Sequence, residues 1–291
     1  MGKARVRAKR PRYIVQQIER MIANPNPVFN THPQFMRTIT ERAHSEYVAG
    51  ISPESHDSLV KAFATMKRDQ LRKVEKAEAR KPVTAENFRD SLFSGSRTEG
   101  SNVMEGSIVL SGKAPENMHF RTETLITPSG QYGNLHKLAL KRLPGFRRDG
   151  WRLLGSHYTE TPIGKERVIT NHFFAPGNSD NPQGIYSLHV APAQQAIVFS
   201  HLGDTWKRAF TARTPKDALR KVAEYEWWFY QANPTGRGGA NIGDCMSASL
   251  RMSLGLPLDR RYAHRDYEAL TLPLNEYVSM RTNQLKKLIK R

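Results

Sequence analysis

The stretch Glu226-Trp227-Trp228-Phe229-Tyr230-Gln231-Ala232-Asn233-Pro234-Thr235-Gly236-Arg237-Gly238-Gly239-Ala240-Asn241-Ile242 decides how the chain is read. Its first half continues a helical pattern, and Asn233-Pro234 stops it. Three glycines in the four positions 236–239 then form a tight turn that feeds a second helix. Glycine lets backbone N–H groups converge, and the N-terminus of the next helix adds partial positive charge, so the turn is suited to hold an anion. Arg237, inside the turn, can add a bidentate phosphate contact. The plain alternative is a joint between two helices, with Arg237 paired to a neighbouring carboxylate. The turn is not a P-loop, because no Gly-Lys-Ser/Thr follows. Nor is it a dinucleotide fingerprint, because a helix and not a strand precedes it. Trp227 and Trp228 read as core anchors rather than as platforms for stacking bases.

Working outward, Thr214-Pro215-Lys216-Asp217 is a helix start: Thr214 caps, Pro215 suits the first helical position and Asp217 completes a capping box. That helix runs to about Asn233. The next covers about 240–254, where Gly255 and Pro257 end it. In the N-terminal third, apolar residues at helical spacing mark helices at 11–23, at 33–48 and from about Ser52, with Pro53 in its first turn, to Lys81. The centre differs. Segments 106–111, 119–126, 167–174 and 185–191 are short, rich in β-branched and aromatic residues, and bounded by Gly, Pro, Asn and Asp, as strands are. The fold class that follows is α+β, mostly helical, with a small β-containing lobe at about 105–192 and a helical lobe at about 193–291. Residues 1–50 read as a separate basic helical region and 51–291 as the main domain.

The 291 residues are 38% hydrophobic, enough for a real core. No run approaches the ~18 apolar residues of a membrane span, and no apolar stretch follows the basic start, so neither a span nor a secretory signal peptide is expected. The single cysteine, Cys245, excludes an internal disulfide and a Cys-rich zinc site. Ten histidines include no H-E-x-x-H and no close His/Asp cluster, so no metal site is expected. The net charge is +18, from 45 basic against 27 acidic residues. Such a charge attracts nucleic acid, anionic lipid or phosphorylated ligands. It concentrates at residues 3–12, from Lys67 to Lys81 and at the C-terminal end. The terminal clusters read either as solvated tails or as a membrane-surface or nucleic-acid contact. Met1-Gly2 would suit myristoylation only with Ser or Thr at position 6, which is Val6.

The double Trp, followed after six residues by Pro and after three more by Arg-Gly, resembles the signature of the AvrB avirulence family, type III effectors of plant-pathogenic bacteria. Further motifs follow that resemblance in order: Phe93-Ser94-Gly95-Ser96-Arg97-Thr98, Thr127-Pro128 with Tyr132, His189, His201-Leu202-Gly203-Asp204, and Asp266-Tyr267-Glu268-Ala269-Leu270. The spacings from Thr127 to Tyr132 and from Arg237 to Asp266 are shorter than the family's, which implies a loop deletion before Asp266. The resemblance covers about 85–291 and is weak at 133–185.

The resemblance implies a fold related to the Fic/Doc (Fido) fold, in which this turn lies where Fic enzymes carry His-Pro-Phe-x-x-Gly-Asn. Asn233 stands in place of the catalytic His, so Fic-type AMP transfer is not expected. It also implies a host-directed effector, delivered by a type III system into the host cell, that takes a nucleotide sugar as cosubstrate and moves a deoxysugar such as rhamnose to Ser or Thr of a host immune regulator. No bound cofactor is implied. In that scheme Gly236, Arg237, Gly238 and Gly239 hold the diphosphate, Thr127 and Tyr132 line the pocket, and Asp266 or His189 is the base. The alternative is a non-catalytic adaptor that binds and perturbs a host regulator; a basic nucleic-acid binder ranks below it, and no nucleic-acid partner is expected, because no nucleic-acid-binding module is present. Taken singly, Asp266 also fits a helix cap, His189 a structural histidine and Thr127-Pro128 an ordinary turn.

Overall fold

The computed structural model describes residues 51–60, 63, 123–126, 128, 133–143, 147–149, 152–175, 184–234, 239–256 and 265–289. The expected helices at 11–23 and 33–48, most of the one at 52–81, the strand at 106–111, the motif at 93–98 and the basic N-terminus lie outside the described residues. The described elements run β1 (Glu123–Ile126), α1 (Gly133–Arg142), β2 (Arg147–Asp149), β3 (Arg152–Ile163), β4 (Glu166–Ala175), β5 (Ile185–Leu188), α2 (Pro192–Phe210), α3 (Pro215–Ala232), α4 (Gly239–Ser253), α5 (Arg265–Thr271) and α6 (Leu274–Ile289). The α+β class holds: a five-stranded antiparallel sheet in the order β1-β5-β4-β3-β2 precedes a helical C-terminal third.

α3 is the centre of the helical part and packs against α2, α4, α5 and α6. Its start is as the sequence dictates: the Thr214 hydroxyl accepts from the Asp217 N–H at 3.1 Å. Only one face of its first half is buried, whereas every residue from Tyr225 to Ala232 is. A helix apolar on one stripe lies at a surface, and one apolar all round must be enclosed, so this change of pattern carries α3 into the core. Trp227 and Trp228 are buried as anchors, edge to face at 5.0 Å, and Trp227 Nε1 donates to the Leu272 carbonyl at 2.8 Å. His201 lies in the middle of α2 and meets Trp228 edge to face.

Ile51, Leu59, Val60 and Phe63 join this core. The helical turn there begins at residue 56 and not near Ser52. The Ser52 and Ser55 hydroxyls accept from the Glu54 and Ser52 N–H groups and hold Pro53-Glu54 in a turn. Trp206 Nε1 donates to the Ser52 carbonyl at 3.0 Å, and buried His56 sits 3.1 Å from the Tyr225 hydroxyl.

β3 and α1 were not expected from the sequence. β3 pairs with β4 through a two-residue turn, Gly164-Lys165, where Gly164 has φ 59°. Along β3 from Gly155 to Glu160, half-buried and exposed residues alternate, the period of a strand with one face to solvent. A second core, of Ile126, Leu135, Ala139, Leu143, Phe173, Ile185 and Leu270 among others, joins the sheet, α1 and α5.

Close packing of α3 on α4 makes one glycine position sharp. A Cβ on Gly243 would lie 2.8 Å from the Phe229 ring and 2.9 Å from the Tyr230 ring. Gly243→Ala is therefore expected to lower stability by about 1–2 kcal/mol, overpacking outweighing the helix-propensity gain; thermal melting of the variant checks this.

Candidate functional site

The site is built at the C-terminus of α3. Asn233 caps the helix in the left-handed conformation, φ 38° and ψ 64°, and its N–H donates to the Phe229 carbonyl at 2.8 Å. Asn and Gly are the residues that take this conformation readily. The Asn233 amide nitrogen lies 3.1 Å from Nε2 of buried His189, just past β5. Which of the two donates is set by the imidazole tautomer and the orientation of the amide. Asn233 and His189 thus join the end of α3 to the end of β5.

Gln231 joins the parts of the site. Its carbonyl accepts from the Val190 N–H at 3.3 Å, next to His189. Its side-chain oxygen accepts from the Asn171 N–H at 2.7 Å, and its amide nitrogen donates to the Ala269 carbonyl in α5 at 2.7 Å. Gln195 adds a brace from α2, donating to the Val190 and Ala232 carbonyls at 3.0 and 2.8 Å. Asn171 occupies a β-bulge in β4: His157 pairs with Phe173 and Thr159 with Thr170, so Asn171 and His172 face Tyr158 alone. With φ 48°, Asn171 turns its amide onto the Ala269, Leu270 and Leu272 carbonyls at 3.0, 2.8 and 3.0 Å. A strand residue thereby caps the C-terminus of α5, whose last carbonyls lack helical partners. Asn171→Asp is expected to destabilise by about 2–3 kcal/mol at neutral pH, since a carboxylate then faces three carbonyl oxygens. Asn171→Gly, which keeps the backbone freedom, loses less; urea denaturation of the two variants separates the effects.

Asp266 lies in the first turn of α5, partly buried. Burial raises its carboxyl pKa, and the neighbouring Asp244 carboxylate raises it further; the Tyr267 and Asp266 backbone N–H groups and Arg265 oppose this, leaving it at about 7. Beneath lies an enclosed ionic network. Arg265 bridges Asp244, at 2.7 Å, and fully buried Glu226, at 3.4 Å. Arg281 binds both Glu226 oxygens at 2.7 and 3.1 Å, and the Tyr277 and Ser247 hydroxyls also reach that carboxylate. The Tyr230 hydroxyl donates to Asp244 at 2.6 Å. Burial pushes the Glu226 carboxyl up, but Arg281, Arg265 and Arg251 more than offset it and hold it at about 2. Burial likewise raises Asp244, against the pull of Arg265.

His189 and α5, which carries Asp266, are thus tied through Gln231 to the end of α3. Gly239 opens α4 and is buried. Gly236, Arg237, Gly238, Thr127 and Tyr132 lie outside the described residues, as does any carboxylate partner of Arg237 there. The sequence reading missed Gln231, Asn171, Asp244 and Arg265. The one available signal was a polar Asn171 in the middle of a β-branched and aromatic run.

Compared with known families, residues 176–287 match the AvrB_AvrC model, described as avirulence protein. The match takes in β5, α2 to α5 and most of α6, and so His189, Asn233 and Asp266. No curated protein matches the chain closely enough to count as a relative.

Proposed function

We propose, from the match of residues 176–287 to the AvrB_AvrC avirulence protein family, that this chain is a host-directed effector that transfers a deoxysugar from a nucleotide sugar to a Ser or Thr hydroxyl of a host immune regulator. The turn 235–238 and the N-terminus of α4 receive the diphosphate, and Arg237 neutralises its charge as the bond to the sugar breaks. The acceptor oxygen bonds to the anomeric carbon, the nucleoside diphosphate leaves with the bonding pair, and Asp266 takes the hydroxyl proton. His189, held by Asn233, orients the sugar or acceptor. Thr127 and Tyr132 supply hydroxyls to the pocket wall.

The observation that carries this reading is the state of Asp266. Its carboxyl is held at about 7, on a helix tied to the end of α3 just before the glycine-rich turn. A carboxyl near neutrality is suited to general-base work, and perturbed acids gather at functional sites. The test is a thermal-shift panel of wild type and Arg237→Ala with dTDP-rhamnose, UDP-sugars, ADP and a short DNA at two salt concentrations. A nucleotide sugar at 100 times its Kd stabilises by about 2.7 kcal/mol, and this shift is expected to vanish in Arg237→Ala. A shift with ADP alone favours the adaptor function. Stabilisation by DNA alone, lost at high salt, removes the nucleotide pocket and makes the chain a nucleic-acid binder.

A further inference from the structure

α5 is short, Arg265–Thr271, and is held by polar side chains of other elements at both of its ends. A helix of this length has few backbone bonds of its own, so such contacts set its place. At the start, buried Arg265 reaches Asp244 of α4 at 2.7 Å and Glu226 of α3 at 3.4 Å. Further along, the Gln231 amide donates to the Ala269 carbonyl at 2.7 Å. The Gln231 side-chain oxygen accepts from the Asn171 N–H, also at 2.7 Å, and the Asn171 amide takes the last carbonyls of the helix.

The place of Ala269 gives this contact a meaning beyond packing. It stands three residues after Asp266, and residues three apart lie on one face of a helix. Gln231 therefore grips α5 one turn from Asp266. It is 2% exposed and spends its donor on α5 and its acceptor on β4. Its own carbonyl takes the N–H of Val190, the residue after His189. Methionine has nearly the same length and would fill the same space, so packing alone does not call for an amide here.

We infer that Gln231 is a positioning residue, which holds α5 so that the Asp266 carboxyl stays in its enclosed setting near Asp244 and in a fixed relation to the segment that carries His189. The inference rests on the proposed role of Asp266 as the base. A displacement of about 1 Å near reacting groups can cost on the order of 10²-fold in rate, so a clamp one turn away bears on chemistry as well as on folding.

Carbon-13 titration of the aspartate carboxyls in the full chain, with the Asp266 signal identified by its loss in Asp266→Asn, tests this without a sugar acceptor. The charged groups acting on Asp266 are Asp244 and Arg265, and both remain in Gln231→Met. A moved titration therefore reads the place of α5. The wild-type midpoint is expected at about 7, and that of Gln231→Met lower by about one unit or more, because a displaced α5 lets water reach the carboxyl. Gln195→Met also loses two buried carbonyl bonds, to Val190 and Ala232, but none to α5, and should keep the wild-type midpoint. Asn171→Gly removes the other half of the clamp and should lower the midpoint too, which keeps the test open should Gln231→Met fail to fold. A folded Gln231→Met with the wild-type midpoint would make the amide purely structural and overturn the inference. An equal fall in Gln195→Met, or a wild-type midpoint already at 3.8, would overturn it as well. If no nucleotide sugar shifts the melting of the wild type, the transfer reading falls, and the titration still decides whether Gln231 places the carboxyl.

Discussion

Replacing Glu226 with alanine should lower the stability of the folded protein by about 3–5 kcal/mol, the range seen when one partner of a buried ion pair is removed. Glu226 is fully buried, and Arg281, Arg265, Tyr277 and Ser247 all point hydrogen-bond donors at its carboxylate. Alanine removes the carboxylate that Arg281 and Arg265 share, and the Arg265–Asp244 pair stays. Whole domains are stable by only about 5–15 kcal/mol, so the loss takes a large share. Glu226→Gln keeps acceptor capacity on one oxygen and should fall between wild type and Glu226→Ala. Urea denaturation gives all three values, and a Glu226→Ala midpoint within error of wild type would mean the network adds nothing to folding.

The same carboxylate sets a pH dependence. Its pKa in the folded protein, about 2, lies below its ordinary value of 4.5, so the unfolded chain binds the proton more readily. The stabilisation is complete above pH 4.5 and is lost as pH falls from there toward 2. Glu226→Gln carries no such proton and should flatten the acid limb of the stability curve. Arg265 extends the effect toward the site, because it joins Glu226 to Asp244, the carboxylate that raises Asp266.

How much of this was legible in the sequence depended on whether the deciding interaction was local. α3 and α4 were, because Thr214, Pro215, Asp217, the glycine-rich turn and Gly255 act within a few residues of themselves. β4 and β5 were, because both are short runs rich in β-branched and aromatic residues. β3 was not: Gly155, Glu160 and Pro162 look like breakers, and it forms because one half-exposed face pairs along β4. Glu226 and Gln231 sit in the segment that decided the reading, yet nothing local distinguishes a buried acid from a solvated one. Their partners are Arg281 and Ala269, 55 and 38 residues away. The same holds for Asn171, whose partners in α5 lie about a hundred residues on. His189 and Asp266 were singled out through resemblance. What the fold adds is an Asn233 partner for the first and a displaced pKa for the second.

Asp266→Asn separates the proposed base from a helix-capping residue by moving activity and stability in opposite directions. If Asp266 takes the proton from the acceptor hydroxyl, its loss should reduce sugar transfer by about 10²–10⁴-fold, the usual contribution of a positioned acid or base. In wild type the rate should rise with pH through about 7 as the carboxyl ionises, and in Asp266→Asn that rise should be absent. The stability prediction has the reverse sign to that for Glu226. The folded carboxyl titrates near 7 and the unfolded one near 3.8, so folding takes up a proton between those values. Wild-type stability therefore falls as pH rises across that window, a cost that Asp266→Asn does not share. At pH 8 the variant should be more stable than wild type, and below pH 3.8 the advantage should disappear. A structural cap predicts the contrary, since Asn caps a helix as well as Asp does and would leave transfer intact. Less activity with more stability is the mark of a group kept in an unfavourable setting for its chemistry. Transfer rates and urea midpoints for the two proteins at pH 5, 7 and 8 decide between the readings, and undiminished transfer in Asp266→Asn would return the role of base to His189.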